Sequence, residues 1–325
     1  MKRRSIELNR RAFLRTAAGV TAGGTIAFPQ LLLGAAGSEL KPGERLNLAF
    51  VGVGGKGASS IMALSDHDII GLCDVDERTV TAARTSRRGA AEFDAVLARA
   101  ESRGARWYRD YRVMFEQLGD KLDGVVISTP DHMHYPVAMS AINLGINVYC
   151  EKPLTHTVEE SRLLAEAARR KGVVSQMGNQ GHSNDGVRQA KEWIAAGAIG
   201  QVREVYSWTN RPIWPQGLDE PAHDEFIPVT PEGLDWGLWQ GVAPERAYDP
   251  AYLPFSWRAW WDYGCGAVGD MACHVMDAAY FSLDLGLPAS ISALSTPVNE
   301  QSAPNASAIT YEFPARGRFA PVTYH

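Results

Sequence analysis

The chain has 325 residues, of which 45% are hydrophobic and 21% charged, as in an ordinary soluble globular protein with room for two domains. Its formal net charge of −5 gives no electrostatic reason to expect a nucleic acid partner, because such proteins usually present a basic face. Its four cysteines show no CxxC spacing and are too few for a disulfide scaffold.

The first 37 residues are predicted to be an export signal and not part of the fold. The stretch NRRAFL, residues 9–14, carries the arginine pair of a twin-arginine signal, and an uncharged segment follows from Thr16 to Ser38. That segment is rich in Gly, Ala and Thr, so no stable membrane span is expected after signal removal. The signal predicts a periplasmic or exported protein. A surface helix with an accidental arginine pair and an uncleaved anchor are the alternatives.

From Leu46, short apolar runs alternate with helical stretches. The apolar runs are LNLAFV, HDIIGLCD, DGVVIST, INVYC and VVSQMG. The helical stretches are Ala58–Leu64, Arg78–Arg88, Met133–Leu144 and Val158–Lys171, with an extra helix at Gly89–Arg103 before the third strand. Continuous apolar strands separated by helices indicate a parallel sheet that is covered on both faces. The pattern therefore predicts an α/β protein with an N-terminal, doubly wound Rossmann sheet.

After about Gly186 the pattern changes. A helix over Val187–Ala196 leads into VREVYSWTN, whose alternation is typical of a half-buried antiparallel strand. An irregular region from Arg211 to Trp257, a helix from Val268 to about Leu285 and the strand candidates SISALST and SAITYEF follow. These elements predict an α+β domain with a mostly antiparallel open sheet. Because the last residues, PVTYH, resemble the start of another strand, we expect this domain to be truncated at its C-terminus.

A glycine-rich loop, GVGGKG at residues 52–57, fits the GxGxxG fingerprint of dinucleotide-binding sites and lies between a predicted strand and a predicted helix. In that fingerprint Gly52 permits the tight turn, and Gly54 lets the backbone approach a pyrophosphate. Gly57 allows close packing of helix on strand, and Gly55 completes the loop.

Asp74 ends the next predicted strand, 22 residues beyond Gly52, in the place that binds the ribose hydroxyls of adenosine. A carboxylate there repels a 2′-phosphate, so NAD is favoured over NADP as the cofactor. Arg78 lies close enough to Asp74 in the sequence that NADP remains an alternative cofactor. A Gly-rich turn without a ligand is the remaining alternative.

Two further motifs follow predicted parallel strands, at the ends where ligands of such sheets bind. STPDHMH, residues 128–134, begins at the end of the apolar run DGVVIST, and EKP, residues 151–153, directly follows the run INVYC. Together with the glycine loop, the acidic strand end and DMACH at residues 270–274, they form five ordered motifs. From Arg45 onward this order resembles the Gfo/Idh/MocA family of oxidoreductases. The resemblance is specific for the family and much less specific for the substrate.

The resemblance implies a cofactor domain, placed at residues 45–172, and a substrate domain, placed at 173–325, whose open sheet mediates homo-oligomerisation. It implies hydride transfer between a nicotinamide and a sugar, a polyol or a similar alcohol. It also implies that residues of the two strand-end motifs contact the cofactor, namely Thr129, Pro130, His134, Glu151 and Lys152.

Asp270 and His274 are four residues apart on a predicted helix and therefore share one face. Removing hydride from a carbinol carbon requires a base for the hydroxyl proton, and an imidazole titrates near neutrality. We expect His274 to be this base, Asp270 to orient it and stabilise its cation, and Lys152 to hydrogen-bond the reacting oxygen. An ordinary surface pair is the alternative for Asp270 and His274, although the preceding glycines favour close approach to a ligand.

Substrate contacts are expected from two places. Family members place substrate-binding polar residues after the last strand of the cofactor domain, here VVSQMG, and this chain has Gln180 and His182 there. Flat aromatic side chains beside charged donors suit sugar rings, and seven of the nine tryptophans lie between residues 208 and 261. Most of these tryptophans are expected to serve packing. Trp257 and Arg258 are the substrate candidates because they lie just before the Asp270 helix.

An exported enzyme has no dissolved nicotinamide pool, so the NAD is expected to be tightly bound and regenerated in place. The leading prediction is an NAD(P)-dependent oxidoreductase acting on carbohydrate CH–OH groups, similar to glucose–fructose oxidoreductases. The first alternative is an NAD-dependent glycoside hydrolase that cleaves by transient oxidation and elimination. The second is a non-catalytic sugar-binding protein with structural NAD. No metal site is expected.

Overall fold

The computed structural model describes residues 43–219, 221 and 228–325. The export signal predicted for residues 1–37 lies outside this part of the chain. Within the described ranges, the search for a helix of membrane-spanning length and apolarity finds none.

The described residues form ten strands and ten α-helices. The strands are β1 (Asn47–Val51), β2 (Asp68–Cys73), β3 (Arg106–Tyr108), β4 (Gly124–Ile127), β5 (Asn147–Glu151), β6 (Ser175–Gly178), β7 (Glu204–Val205), β8 (Ser290–Ser295), β9 (Ser307–Phe313) and β10 (Val322–Tyr324). The helices are α1 (Gly57–Ala63), α2 (Glu77–Thr85), α3 (Ala90–Ser102), α4 (Tyr111–Leu118), α5 (His134–Asn143), α6 (Val158–Lys171), α7 (Asp185–Ala195), α8 (Trp236–Gln240), α9 (Gly266–Val275) and α10 (Asp277–Ser282).

The first sheet has six parallel strands in the order β3-β2-β1-β4-β5-β6, which confirms the predicted doubly wound α/β fold. The strand order reverses between β1 and β4, and Val51 lies opposite Ile127 there. Ligands of such sheets bind in the crevice outside the carboxyl ends of the strands at this point. The sixth strand, Ser175–Gly178, belongs to this sheet and lies beyond the predicted domain end at residue 172.

Both faces of the four central strands β1, β2, β4 and β5 are largely buried, which explains why these strands read as apolar runs and do not alternate. One face packs with Met114, Val137 and Ile142, and the other packs with Ile61 and Leu97, all with exposures of 0%. The helix α6 has the bounds predicted from the sequence. Its capping box joins Thr157 to Glu160, and a left-handed Gly172 ends it.

The second sheet has the order β7-β10-β9-β8, with one parallel pair, β7 with β10, and two antiparallel pairs. This arrangement confirms a mostly antiparallel sheet in the second half of the chain. β8 is exposed along its whole length, so one edge of this sheet and both faces beside it lie open among the described residues.

The strand predicted from VREVYSWTN is shorter in the structure, where β7 covers only Glu204–Val205. Ladder hydrogen bonds to β10 continue as far as Ser207, whose N–H donates to the His325 carbonyl. The alternation does not correspond to a buried face, because Tyr206 is 59% exposed and Trp208 is 82% exposed. Burial on one face is what makes such a pattern diagnostic of a strand.

The single helix predicted from Val268 to about Leu285 is two helices, α9 and α10, that meet at Met276. The backbone of Met276 stays in the helical region, with φ −89° and ψ −23°, so the break is slight. Asp277 begins the second helix, and its carboxylate lies 2.9 Å from Nδ1 of His182.

Aromatic side chains fill the irregular region between the two sheets. Trp214, Trp239, Trp257 and Trp260 are buried there together with neighbouring tyrosines, as expected for packing residues. We call the part built on the first sheet the first lobe, and the part from the aromatic region onward the second lobe. His132 of the first lobe joins this cluster, since its ring centroid lies 5.4 Å from that of Trp239. The cluster therefore fixes the second lobe against the carboxyl ends of the first sheet.

Candidate active site

A crevice of about 690 Å³ lies at the carboxyl ends of the parallel strands, between the first sheet and the aromatic region. It contains most of the site residues that the sequence predicts. Those that line it are Gly52, Gly55, Asp74, Thr129, Pro130, His134, Glu151, Lys152, Gln180, Trp257, Arg258, Asp270 and His274. Those that do not are Gly54, Gly57 and His182.

The glycine loop has the form that a dinucleotide phosphate requires. Gly52 has φ +85°, and a Cβ there would lie 2.6 Å from the Ser128 carbonyl oxygen. A Cβ at Gly57 would overlap the Gly52 carbonyl oxygen, so this glycine lets α1 pack against the loop. A Cβ at Gly55 would meet nothing within 4 Å, because this position faces the open crevice. These residues fit the pyrophosphate of a nicotinamide dinucleotide.

Asp74 is held rigidly by the backbone of the same loop. Its Oδ2 accepts hydrogen bonds from the N–H groups of Val53 (2.8 Å) and Gly54 (2.9 Å), and its Oδ1 accepts from Asp76 (3.0 Å). Burial raises the pKa of the Asp74 carboxyl, and these three hydrogen bonds oppose that rise. A carboxylate fixed at this end of the crevice fits the ribose hydroxyls of a bound dinucleotide.

Arg78, whose position in the sequence left NADP as an alternative cofactor, forms an ion pair with Asp76. Its Nε and Nη2 each lie 2.8 Å from an oxygen of Asp76, and it does not line the crevice. Three other arginines on this side do line the crevice: Arg87 donates to the Gly54 carbonyl (2.5 Å), Arg109 pairs with Glu77, and Arg112 pairs with Asp110.

Lys152 and Asp270 form an ion pair in the wall of the crevice. Nζ of Lys152 donates to Oδ1 (2.7 Å) and to the main-chain oxygen (2.7 Å) of Asp270. The side chains of the pair are only 15% and 10% exposed. Nε of Arg258 lies 3.4 Å from the same Oδ1, so one carboxylate holds two cations. Burial lowers the pKa of the Arg258 guanidinium.

His274 has a different partner from the one expected. Its Nδ1 lies 2.8 Å from Oδ1 of Asn179, and the Asn179 amide nitrogen donates to the Cys273 carbonyl (2.7 Å). The Asp270 carboxylate, which we expected to orient His274 and to stabilise its cation, hydrogen-bonds Lys152 and not the ring, although its negative charge still favours the imidazolium. Burial lowers the pKa of the His274 imidazole, and the positive charge of Lys152 lowers it further.

His134 braces the two strand-end motifs against each other. Its Nδ1 lies 2.6 Å from the Pro153 carbonyl oxygen and its Nε2 2.9 Å from the Thr129 carbonyl oxygen. Both ring nitrogens thus face the protein backbone, although the residue lies at the crevice wall. This geometry gives His134 a role in holding the EKP turn.

Asp131 and His132 connect the first lobe to the loop that begins α9. Oδ2 of Asp131 accepts from the Cys265 N–H (3.1 Å), and the ring nitrogens of His132 face the carbonyl oxygens of Tyr263 (3.2 Å) and Trp239 (3.1 Å). Burial lowers the pKa of His132 to about 4, and the hydrogen bonds to the two carbonyl oxygens oppose that fall. These contacts fix the helix that carries Asp270 and His274.

Glu151 is 5% exposed and accepts a hydrogen bond from Nε2 of Gln180 (2.8 Å). Nζ of Lys56 lies 3.7 Å from the same carboxylate oxygen. Gln180 lies in the crevice, with its amide nitrogen engaged by Glu151 and by the Tyr149 hydroxyl (2.9 Å).

The structure places His182 outside the crevice, unlike the expectation for a substrate residue. A 3₁₀ turn over Gln180–Ser183 carries this side chain past the crevice, where Nδ1 contacts Asp277. Its ring also packs edge-on against Phe281, with centroids 4.7 Å apart.

Trp257 and Arg258 provide an aromatic and charged wall. The Arg258 guanidinium carbon lies 4.2 Å from the Trp257 ring centroid and 4.1 Å from that of Phe255. Phe255 also lines the crevice. Such a wall suits a sugar ring, which has apolar C–H faces and hydroxyl edges.

Among the polar residues of this site that sequence reasoning missed are Lys56, Asp131 and Asn179. Asn179 follows β6 directly, just as Lys152 of the EKP motif follows β5. This position at the carboxyl end of a parallel strand was the sequence signal that could have identified Asn179 as a site residue. Asp131 lies inside the STPDHMH motif, but its partner in the second lobe gives no local signal. In the described ranges, the search for a cluster of three or more His, Cys, Asp or Glu side chains able to hold a metal finds none.

Two family models match the chain. Residues 46–179 match a model described as "Oxidoreductase family, NAD-binding Rossmann fold", and residues 204–315 match "Oxidoreductase family, C-terminal alpha/beta domain". Both are models of one family, and together they span more than half of the chain. The chain belongs to the Gfo/Idh/MocA family. The resemblance inferred from the five motifs is thereby confirmed.

Similar proteins of the Gfo/Idh/MocA family include dehydrogenases. Levoglucosan dehydrogenase from Pseudarthrobacter phenanthrenivorans is 29% identical over 157 residues, 48% of this chain and 32% of that protein. Inositol 2-dehydrogenase 2 from Saccharopolyspora erythraea is 28% identical over 193 residues, 55% of each chain. The matched region thus spans between a third and just over half of these relatives.

A solved structure of levoglucosan dehydrogenase in complex with NADH and levoglucosan superimposes with a TM-score of 0.55 at 22% identity. The match covers 86% of this chain and 66% of that one. At this identity the likeness shows a shared fold, and it agrees with the two-lobed architecture described above.

Proposed function

We propose that this Gfo/Idh/MocA protein is an NAD-dependent oxidoreductase that transfers hydride between a tightly held nicotinamide and a carbohydrate hydroxyl. The observation that carries the proposal is the crevice itself. It brings Lys152, Asp270 and His274, which come from two lobes, together with the glycine loop. The names of the levoglucosan and inositol dehydrogenases support a sugar or polyol as the substrate class.

A bound nicotinamide dinucleotide supplies the acceptor for hydride from the carbinol carbon. In our proposal the glycine loop and Asp74 hold it, and the Asp74 carboxylate favours a free 2′-hydroxyl, hence NAD over NADP. Lys152 hydrogen-bonds the reacting oxygen. Asp270, 2.7 Å from the Lys152 Nζ, fixes that ammonium and offsets its charge. Nε2 of His274 takes the hydroxyl proton.

Three further parts of the proposal concern the whole protein. The arginine pair at residues 10–11 supports export by the twin-arginine pathway, and export in turn favours a cofactor that is not released. We place the cofactor domain at residues 45–179, so that it includes β6, and the substrate domain after it. The exposed Ile291 and Leu294 of β8 support homo-oligomerisation through the second sheet.

The proposal is tested by adding a panel of sugars, glycosides and polyols to the purified protein with NAD⁺ and following absorbance at 340 nm. Product analysis runs in parallel. We expect NADH and a carbonyl product to form together with at least one compound. Release of reducing sugar without net NADH would instead identify glycoside cleavage through transient oxidation. Saturable sugar binding without either product would identify a non-catalytic protein.

The rate of oxidation is expected to fall as pH decreases below neutrality. Since the pKa of His274 is lowered from its ordinary value of about 6.5, the ring is neutral at pH 7 and ready to accept a proton. As pH falls through the lowered pKa, protonation removes the base, and kcat/KM should drop about tenfold per pH unit. Initial rates between pH 4.5 and 8, with circular dichroism to monitor folding, check this. A midpoint at or above 6.5 would contradict it.

A further inference from the structure

The residue that holds His274 is an amide. Asn179 lies directly after the carboxyl end of β6 and is 8% exposed. Its side chain contacts two adjacent residues of α9. Oδ1 lies 2.8 Å from Nδ1 of His274, and Nδ2 lies 2.7 Å from the Cys273 carbonyl oxygen. These contacts join the first sheet to the helix that carries the proposed base.

The Cys273 carbonyl decides which way the amide faces. A main-chain carbonyl only accepts hydrogen bonds, so the NH₂ group of Asn179 must point at it. Flipping the amide would place two acceptor oxygens 2.7 Å apart. Oδ1 therefore faces His274, and because an amide oxygen only accepts, Nδ1 of the imidazole must carry the proton.

The other ring nitrogen is consequently a free base. In a neutral imidazole only one nitrogen is protonated, so Nε2 keeps its lone pair when Nδ1 carries the hydrogen. No hydrogen bond to Nε2 occurs within residues 43–219, 221 and 228–325, and His274 lines the crevice. The lone pair is thus available to a ligand that enters the crevice.

We propose that Asn179 is a positioning residue that fixes His274 as the Nδ1–H tautomer and so leaves Nε2 as the base for the substrate hydroxyl. The catalytic consequence rests on the proposed function; the tautomer does not. In the oxidation step the O–H proton passes to Nε2 while the carbon-bound hydrogen leaves as hydride to the oxidised nicotinamide. A C=O bond forms, and the resulting imidazolium still donates from Nδ1 to Asn179.

The neutral partner also sets how readily His274 gains a proton. The charges that act on the ring are the positive charge of Lys152, which lowers its pKa, and the negative charges of Asp270, Glu151 and Asp277, which raise it. An Asn in contact with Nδ1 adds no negative charge, whereas a carboxylate in direct contact favours the imidazolium by about 1 to 3 pKa units. Asn179→Asp should therefore keep one oxygen that accepts from Nδ1 and make the base titrate at higher pH, while its second oxygen faces the Cys273 carbonyl and loses the hydrogen bond that Nδ2 makes.

Nuclear magnetic resonance tests the tautomer without requiring activity. In protein labelled with ¹⁵N at histidine, long-range correlation spectra distinguish Nδ1–H from Nε2–H, and His274→Gln assigns the signal among the eight histidines. We expect Nδ1–H in the native protein and in Asn179→Asp, with a pKa higher by about one unit or more in the latter. We expect Asn179→Leu to lose the Nδ1–H preference. An Nε2–H signal in the native protein would overturn the inference.

Kinetics give the second readout. Asn179→Leu should lower kcat about 10- to 100-fold with a smaller change in KM, and Asn179→Asp should shift the acidic limb of the pH profile upward with a smaller loss of kcat than in Asn179→Leu. Asn143→Asp adds the same charge at the exposed end of α5, outside the crevice, and should change neither quantity.

The two proposals fail in different ways. Native protein that shows the Nδ1–H tautomer and oxidises no carbohydrate would reject the proposed function and leave the positioning of His274 standing. Active native protein whose pH profile is the same in Asn179→Asp, with that variant folded, would reject the role of Asn179.

Discussion

Lys152→Met is expected to lower kcat for carbohydrate oxidation by about 10³-fold or more, while nucleotide binding changes little. Nζ of Lys152 lies in a largely buried pair with Asp270, where a single ammonium acts with little screening from water. Methionine keeps much of the length of the side chain and removes the charge and all three donors. Single-turnover absorbance at 340 nm measures the loss, and equilibrium binding of NAD⁺ measures what is retained.

The control for this variant is Lys171→Met, which removes a lysine from the exposed end of α6, where Nζ donates to the Asn143 carbonyl. It should leave turnover unchanged. The carboxylate of Asp270 keeps Arg258 as a neighbour at 3.4 Å in Lys152→Met, so the fold should be retained. Native turnover in folded Lys152→Met would show that the ammonium does not act on the reacting oxygen.

Gly57→Ala is expected to lower the free energy of unfolding by about 2 kcal/mol and to weaken NAD⁺ binding at least tenfold. The added Cβ would overlap the Gly52 carbonyl oxygen, which is backbone and cannot move without displacing the loop. Helix α1 must therefore shift away from the loop that holds the phosphates. Chemical denaturation gives the stability change, and titration with NAD⁺ gives the affinity.

Gly55→Ala is the matched control for stability. The same methyl group is added two residues earlier in the same loop, where it would meet nothing within 4 Å and where the backbone is not left-handed. It should leave the unfolding free energy within about 0.5 kcal/mol of the native value. Equal stability of the two variants would show that the close contact of Gly57 with Gly52 does not determine the packing of α1.

The fold was largely predictable because its signals are local. The central parallel strands are short apolar runs, whereas the edge strand β3 (RWY) is largely exposed and no apolar run predicted it. The helix α6 starts at a capping box and ends at Gly172, so its bounds follow from neighbouring residues. β7 was overestimated because VREVYSWTN alternates without a buried face: Trp208 is exposed. Periodicity predicts burial, and only packing decides whether burial occurs.

The residues at the crevice were predictable where a motif follows a strand, and their pairing was not. Spacing on a helix correctly predicts that Asp270 and His274 share a face, but it cannot show that Lys152 from the other lobe takes the carboxylate. Asn179 then becomes the partner of His274 across 95 residues of sequence. Such contacts depend on how two lobes dock, which no local pattern encodes.

The central claim is that the crevice holds one nicotinamide dinucleotide per chain. Equilibrium dialysis of the purified protein against NAD⁺, followed by denaturation and chromatographic quantitation of NAD⁺ and NADH, counts bound nucleotide whether it was added or already present. The account predicts an excess of one nucleotide per chain in the protein compartment, and a marked reduction in Gly57→Ala. Folded native protein with no excess nucleotide at millimolar NAD⁺ would contradict it.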